Sequence, residues 1–363
     1  MPLQTPEPFR IVAYVGHQTF GNFLMNQVNL AALAQHIPNS VLGVMYRNDR
    51  PYKDFITSLN PNVAATMTLP EDPGYVFPME CLIDESTLLG EQWCSLGLNS
   101  PDLFLTTTML PLDIHTLTGE MPVFGVPNDL IAPLGGELIK HGLDPNRWFI
   151  CLHMREGNYK YRKMAMDYRD IDPSNYLDML DQVINQYGGQ VVRLGDPSMT
   201  PLPEMDGLID LSKIDGTFAL QLFATSRARY FIGCDSGPLS FAKATNVPAA
   251  RVNSMGISIG GSRDERVLPK RGFVMDDGSI LKFDQLHALT EENLPVSALD
   301  NTPEQLCEIT NYFHDLTKDI TGWRDNRIDM SKAKPTPDFS GIEFPIHWTH
   351  GNNMGCIFET KSA

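Results

Sequence analysis

The run Tyr230-Phe231-Ile232-Gly233-Cys234-Asp235-Ser236-Gly237-Pro238-Leu239-Ser240-Phe241-Ala242-Lys243-Ala244-Thr245, with Asn246 to Val252 behind it, decides the fold. Tyr230 to Cys234 is apolar and of strand length. Pro238 suits the first turn of a helix, where its missing N–H is no loss, and the helix runs to Thr245. Ala249 to Val252 is the next strand. Strands alternating with helices predict a parallel sheet with right-handed crossovers.

The same alternation extends in both directions. Upstream, Thr217 to Arg227 reads as a helix through Phe218, Leu222 and Phe223, and Gln190 to Leu194 as a strand. Asp172-Pro173 opens another helix, with Asp172 as N-cap and Pro173 at the first helical position. Its apolar stripe is Tyr176, Leu177, Leu180, Val183, Ile184 and Tyr187, and Gly188-Gly189 ends it. Trp148 to Leu152 is a further strand. Downstream, Thr302 and Gln305 form a capping-box pattern ahead of Leu306, Ile309, Phe313 and Leu316.

The first half opens on a second unit of this kind. Phe9 to Val15 reads as a strand, Asn22 to His36 as a helix stopped by Pro38, and Val41 to Tyr46 as the next strand. Leu103 to Thr107 and Val123 to Val126 are weaker strands. Pro133-Leu134-Gly135-Gly136 and Asp144-Pro145 have connection chemistry, so the boundary is expected within 130–147. This gives an N-terminal domain over 1–140, a second over 141–325, and an irregular tail over 326–363 laid on the globule. His347-Trp348-Thr349-His350 in that tail is read as packing or cleft lining.

Composition narrows the function. The 363 residues suggest two domains. Lys plus Arg is 28 against 44 for Asp plus Glu, a net charge of −16, which repels nucleic acid and anionic membrane. No apolar run is long enough to span a bilayer, and Met1 to Arg10 is not a secretory signal. The six cysteines form no Cys-x-x-Cys pair and no zinc framework. Buried free thiols in a cytoplasmic protein are expected.

Ligands of an open parallel sheet bind beyond the carboxyl ends of its strands. Four second-half strands are followed by segments with polar or glycine residues: His153-Met154-Arg155-Glu156-Gly157-Asn158, Arg193-Leu194-Gly195-Asp196, Asp235-Ser236-Gly237-Pro238 and Asn253-Ser254-Met255-Gly256. Gly237 allows close backbone approach. The N–H groups around it, with the Ser236 and Ser240 hydroxyls, make an anion site at a helix start; a capping role for Ser236 is the simpler alternative. Arg155 offers bidentate donors that match phosphate oxygens. Lys160, Arg162 and Lys163 follow it, either as part of a basic patch or as a solvated loop. His153 is expected to orient a substrate or hydrogen-bond it. No phosphate loop or dinucleotide fingerprint is present, and Gly256 to Gly261 fits neither. Asp170-Ile171-Asp172 has a metal-binding form, but Asp172 is better read as a cap, so neither metal nor cofactor is expected.

Cys151-Leu152-His153-Met154-Arg155-Glu156, Val192-Arg193-Leu194-Gly195-Asp196 and Phe231 to Pro238 together resemble bacterial glycosyltransferases of the GT-B type. The His-x-Arg element is similar to that of fucosyltransferases, and the Asp-Ser-Gly-Pro element to one of heptosyltransferases. The fucosyltransferase pattern carries an acid where this chain has Asn158. The resemblance implies an α/β fold of two Rossmann-like domains whose parallel sheets face across a cleft. It implies a nucleotide diphosphate-sugar donor and a glycan or other hydroxyl-bearing acceptor. Arg155, Ser236, Gly237 and Ser240 would then stabilise the leaving diphosphate without a metal, and Asp196 and Asn253 would lie near the ribose or base. Gly195, Asp235, Pro238 and Ser254 complete the expected donor site. His17, after the first strand, is the candidate general base; a loop histidine ordering Gly16 to Gly21 is the alternative. A nucleotide-sugar epimerase, which would need paired carboxylates at the sugar, and a non-catalytic binding module are the rival readings; a structural assembly protein is the least supported.

Overall fold

The computed structural model describes residues 7–16, 19–69, 88–106, 122–156, 169–254, 265–275, 277–279, 296–324, 347–350 and 356–359. The chain divides into two compact units, Met1–Pro127 and Asn128–Ala363. His17, Asn158, Lys160, Arg162, Lys163, the Gly256 to Gly261 run and most of the tail lie outside the described residues.

In the first unit the order is β1 (Phe9–Tyr14), α1 (Phe20–His36), β2 (Ser40–Arg47), α2 (Tyr52–Ser58), β3 (Val63–Leu69), α3 (Leu88–Ser95) and β4 (Leu103–Thr106). The sheet runs β3-β2-β1-β4 and is parallel throughout. One face is closed by Trp93 and Leu98 over Val12, Met45, Ala65, Met67 and Leu69. The strand expected at Val123 to Val126 is absent, and residues 122–127 are irregular.

The second unit opens on α4 (Asn128–Lys140). Residues expected as a connection, Pro133 to Gly136, lie inside this helix. A Cβ at Gly135 would stand 3.5 Å from the Trp323 ring and 3.8 Å from Phe223, ordinary contact distances, so the helix packs on those aromatics and would accept alanine there. The second compact unit starts with α4 itself.

Next come β5 (Phe149–His153), a segment that begins as a 3-10 turn (Pro173–Tyr176), continues as α5 (Leu177–Asp181) and widens to a π turn (Gln182–Gln186), then β6 (Gln190–Leu194) and β7 (Leu208–Asp210). The Asp172 side chain accepts from the Ser174 N–H as the expected cap, and Gly188 takes a φ of 69° where the helical run stops. After these follow α6 (Phe218–Arg227), β8 (Phe231–Gly233), α7 (Leu239–Ala244), β9 (Ala249–Ser254) and β10 (Glu265–Pro269). β11 (Gly272–Met275) and β12 (Val296–Leu299) pair antiparallel, α8 (Pro303–Leu316) carries the expected capping box, and β13 (His347–His350) pairs antiparallel with β14 (Cys356–Glu359).

The main sheet, β10-β9-β8-β5-β6-β7, is parallel at every pairing. Side chains alternate across it. Ile150, Leu152 and Met154 join the core with Tyr176, Leu180, Val183, Ile309 and Phe313. Phe149, on the other face, meets Trp323 edge-on at 5.8 Å.

In the first unit, Gly43→Ala would place its Cβ 2.7 Å from the Trp93 ring, which is fully buried. The expected loss is about 1–3 kcal/mol, read from urea melts with an unchanged denaturant slope; a neutral substitution would contradict the seating of Trp93 on β2.

Candidate functional site

In the main sheet the chain begins at β5, moves outward through β6 and β7, and returns on the other side of β5 with β8. Strand order reverses between β5 and β8. The segments leaving these two strands diverge, which opens a crevice at their carboxyl ends. In the first sheet the same reversal lies between β1 and β4.

The register His153↔Gly233 sets Arg155 beside the turn at Asp235. The Arg155 N–H donates to Cys234 Sγ at 3.0 Å, and the Arg155 carbonyl accepts from the Ile171 N–H at 3.1 Å. Its guanidinium Nε faces Asp170 Oδ1 at 3.5 Å, with both side chains partly exposed. The acid opposite Arg155 is therefore Asp170, from beyond the 157–168 stretch. Glu156 turns away to Arg193, at 2.8 Å, and also accepts from the Thr200 N–H at 2.8 Å. Arg193 is fully buried and also meets Asp210 at 3.3 Å. With Asp172 capping and Asp170 on Arg155, neither acid of the Asp-x-Asp run is arranged for a metal.

His153 is 4% exposed, and its Nδ1 stands 3.2 Å from the Leu194 carbonyl. That contact puts the proton on Nδ1 and leaves Nε2 as an acceptor. Nε2 is buried with no hydrogen-bond partner among the described residues. Burial, aided by the charges of Arg155 and Arg193, pulls the ring's pKa down to about 4 against the Leu194 carbonyl, which acts to raise it. His153 is thus a neutral acceptor near neutral pH, not a proton donor. Cys234 is pushed up to about 12, chiefly by burial, and Cys151 is raised further for the same reason, so both thiols are inert as nucleophiles.

The Asp235 carboxylate is buried and faces inward. Arg251 Nη1 lies 3.2 Å from its Oδ1, and the Ser254 hydroxyl donates to its Oδ2 at 2.9 Å. Arg251 continues to Glu265 at 2.8 Å, and Glu265 to Lys243 at 3.2 Å. Asp235 and Ser254 therefore fasten the turn from behind rather than face a ligand. Asn253 is likewise removed from the expected ribose contact. It is fully buried at a φ of 51°, exchanges 2.6 Å hydrogen bonds with Asn301 and donates to Tyr176 at 2.9 Å.

The turn itself is partly exposed at Ser236, Gly237 and Ser240. The N–H groups of Leu239 and Ser240 donate to the carbonyls of Ser236 and Gly237 at 3.2 and 2.9 Å, so those two are not open donors as expected. The N–H groups of Ser236 and Gly237 have no acceptor among the described residues. Pro238 stands at the N-cap of α7 and no side chain caps that helix, which sets aside the capping alternative for Ser236.

Gly195 is gripped by Gln221, which accepts from its N–H at 3.1 Å and donates to its carbonyl at 2.7 Å. Asp196 follows, partly exposed, with one oxygen accepting from the Ser198 N–H at 2.9 Å. The sequence reading missed Gln221, Arg251 and Glu265, and named Arg193 and Asp170 without their ion-pair partners. Only the rarity of arginine inside apolar strands could have marked Arg193 and Arg251.

The chain matches no protein-family profile and no curated protein. It is similar in structure to a glycosyl transferase family 9 protein from Veillonella parvula DSM 2008, at 12% identity over 84% of this chain and 97% of that one, with a TM-score of 0.56. It is also similar to the E. coli ADP-heptose lps heptosyltransferase II, at 14% identity over 83% and 98%, with a TM-score of 0.47. The Veillonella likeness is one of fold, and gives the chain a GT-B-like architecture of two parallel α/β units. Among the described residues no helix is long and apolar enough to cross a membrane.

Two measurements check this site. Replacing Arg251 by Met leaves Asp235 without its buried cation and Glu265 with Lys243 alone, for an expected loss of about 3–5 kcal/mol; a change under about 1 kcal/mol would refute the buried network. Because the folded pKa of His153 is about 4 and the unfolded value is about 6.5, the unfolded chain binds the proton first on acidification. His153 thus costs no stability above about pH 6.5 and an increasing amount as pH falls toward 4. A His153→Gln variant should show a shallower fall of melting temperature across that window; equal slopes would mean that the ring is not held neutral.

Proposed function

We propose that the protein is a glycosyltransferase that moves a sugar from a nucleotide diphosphate-sugar to an acceptor hydroxyl. The observation that carries the reading is the strand reversal between β5 and β8, which sets Arg155 beside the Ser236-Gly237 turn. A guanidinium and two backbone N–H groups at one crevice suit an anion with oxygens on both sides. The fold shared with the Veillonella protein, itself a glycosyl transferase family 9 member, adds support.

In this mechanism negative charge grows on the diphosphate as the glycosidic bond breaks. Arg155 and the N–H groups of Ser236 and Gly237 meet that charge, and the Ser236 and Ser240 hydroxyls add donors. Asp170 orients the guanidinium through its Nε edge. His153, neutral and acceptor-only at Nε2, suits a ligand hydroxyl rather than a phosphate oxygen. Asp196, at the end of β6, is the remaining carboxylate for the ribose or base. His17, which follows β1 in the sequence, is the general base that takes the acceptor's hydroxyl proton. No step in this scheme draws on a metal or cofactor.

A thermal-shift screen with GDP, UDP, ADP, TDP and CMP tests the donor site. At least one nucleotide is expected to raise the melting temperature; saturation at about 100-fold over Kd is worth about 2.7 kcal/mol. In Arg155→Ala, with the fold intact by circular dichroism, the shift should vanish and transfer should fall by about 100-fold or more. An undiminished shift would remove Arg155 from the site, and nucleotide binding without transfer across a broad acceptor panel would favour a binding module.

A further inference from the structure

The first unit has a cavity of about 390 Å³ on the flank between α2 and β3. β3 is an edge strand, and its alternation is split by chemistry. Ala65, Met67 and Leu69 fill the core under Trp93, while Thr66 and Thr68 face the other way. The parallel register sets Thr66 beside Val44 and Thr68 beside Tyr46. The seven-residue α2 contributes Asp54, Thr57 and Ser58 to the opposite wall.

This lining is organised around one phenol. Tyr46 is 3% exposed, is held edge-on by Phe23 at 5.8 Å, and donates to Asp54 Oδ1 at 2.7 Å. Burial and the Asp54 carboxylate keep the phenol protonated, so it stays a donor. Asn60, at the floor, is fixed by Gln27 at 3.1 and 3.2 Å and accepts from the Asn62 N–H at 3.0 Å. Asp54 is exposed, and Tyr46 is its one hydrogen-bond partner among the described residues. A carboxylate accepts about four hydrogen bonds, so Asp54 keeps most of its capacity. The Thr66 hydroxyl has no hydrogen-bond partner among the described residues.

The chemistry of these walls selects the ligand. Hydroxyls that both donate and accept stand next to a carboxylate that only accepts, with Val63 as an apolar contact. No basic side chain lines the cavity among the described residues, so an anionic ligand would meet Asp54 unopposed. The volume lies in the range of small-molecule sites. We propose that the flank between α2 and β3 binds a neutral saccharide, through Asp54, Thr66 and Thr68. This site is built wholly from residues of the first unit and does not depend on the transferase reading.

The test is saturation-transfer NMR on the full chain with free glucose, galactose, mannose and N-acetylglucosamine at millimolar concentration. At least one sugar should receive saturation, with an affinity about tenfold weaker in Asp54→Asn, further reduced in Thr66→Val/Thr68→Val, and unchanged in Arg155→Ala. Asp54→Asn keeps an acceptor for Tyr46 and decides the matter alone if the double valine variant does not fold. The proposal is overturned if no sugar of the panel binds, or if binding is undiminished in Asp54→Asn. Loss of binding in Arg155→Ala alone would move the sugar to the strand-end crevice, and would overturn this inference while leaving the donor-site reading intact.

Discussion

Everything at the candidate site depends on β5 being flanked by parallel strands laid down in opposite directions. All five of its residues, Phe149 to His153, are buried, which is the expected condition of a central strand covered on both faces. Because β6 takes one side and β8 the other, the chain must leave β5 and β8 in diverging directions. The hydrophobic burial of β5 thus fixes where a crevice can exist, before any polar residue is considered. The polar residues found there, Arg155 and the Ser236-Gly237 turn, occupy a space that the sheet has already made.

The strand ends are then held in place by buried charge. Arg193 and Arg251 are both fully enclosed, and each bridges two carboxylates: Glu156 with Asp210, and Asp235 with Glu265. Such pairs add little net stability, since desolvation offsets their attraction, yet loss of one partner is costly. Their effect is geometric. Glu156 fixes the chain immediately after Arg155, and Asp235 fixes it immediately before Ser236. The two strand-end segments are each anchored by a neighbour that faces inward.

Much of this was legible in the sequence, and the failures have physical causes. Gln190–Leu194 was read to the residue, and Phe9–Tyr14 and Phe149–His153 to within one, because uninterrupted apolar runs mark buried strands. The caps at Asp172 and Thr302 were read from local chemistry alone. Pro133 to Gly136 misled because proline and glycine read locally as connection chemistry, while the helix that contains them packs on Phe223 and Trp323, far away in sequence. The short strands β3, β7 and β10 went unread because edge strands carry a mixed pattern. At the site, strand-end position was readable but orientation was not. Asp235 follows its strand as expected, whereas Asn253 and Ser254 are the last residues of β9, and all three face the interior, toward Arg251 and Asn301, partners that no local spacing reveals.

The hydrogen bond from the Ile171 N–H to the Arg155 carbonyl closes the chain on itself at 3.1 Å. Glu156 clamps the departing end and Asp170, whose carbonyl accepts from Lys270 at 3.0 Å, the returning one. Arg155 is thus held at its backbone by Cys234 and Ile171 and flanked by two anchored carboxylates, so the address of its guanidinium is written in residues other than itself.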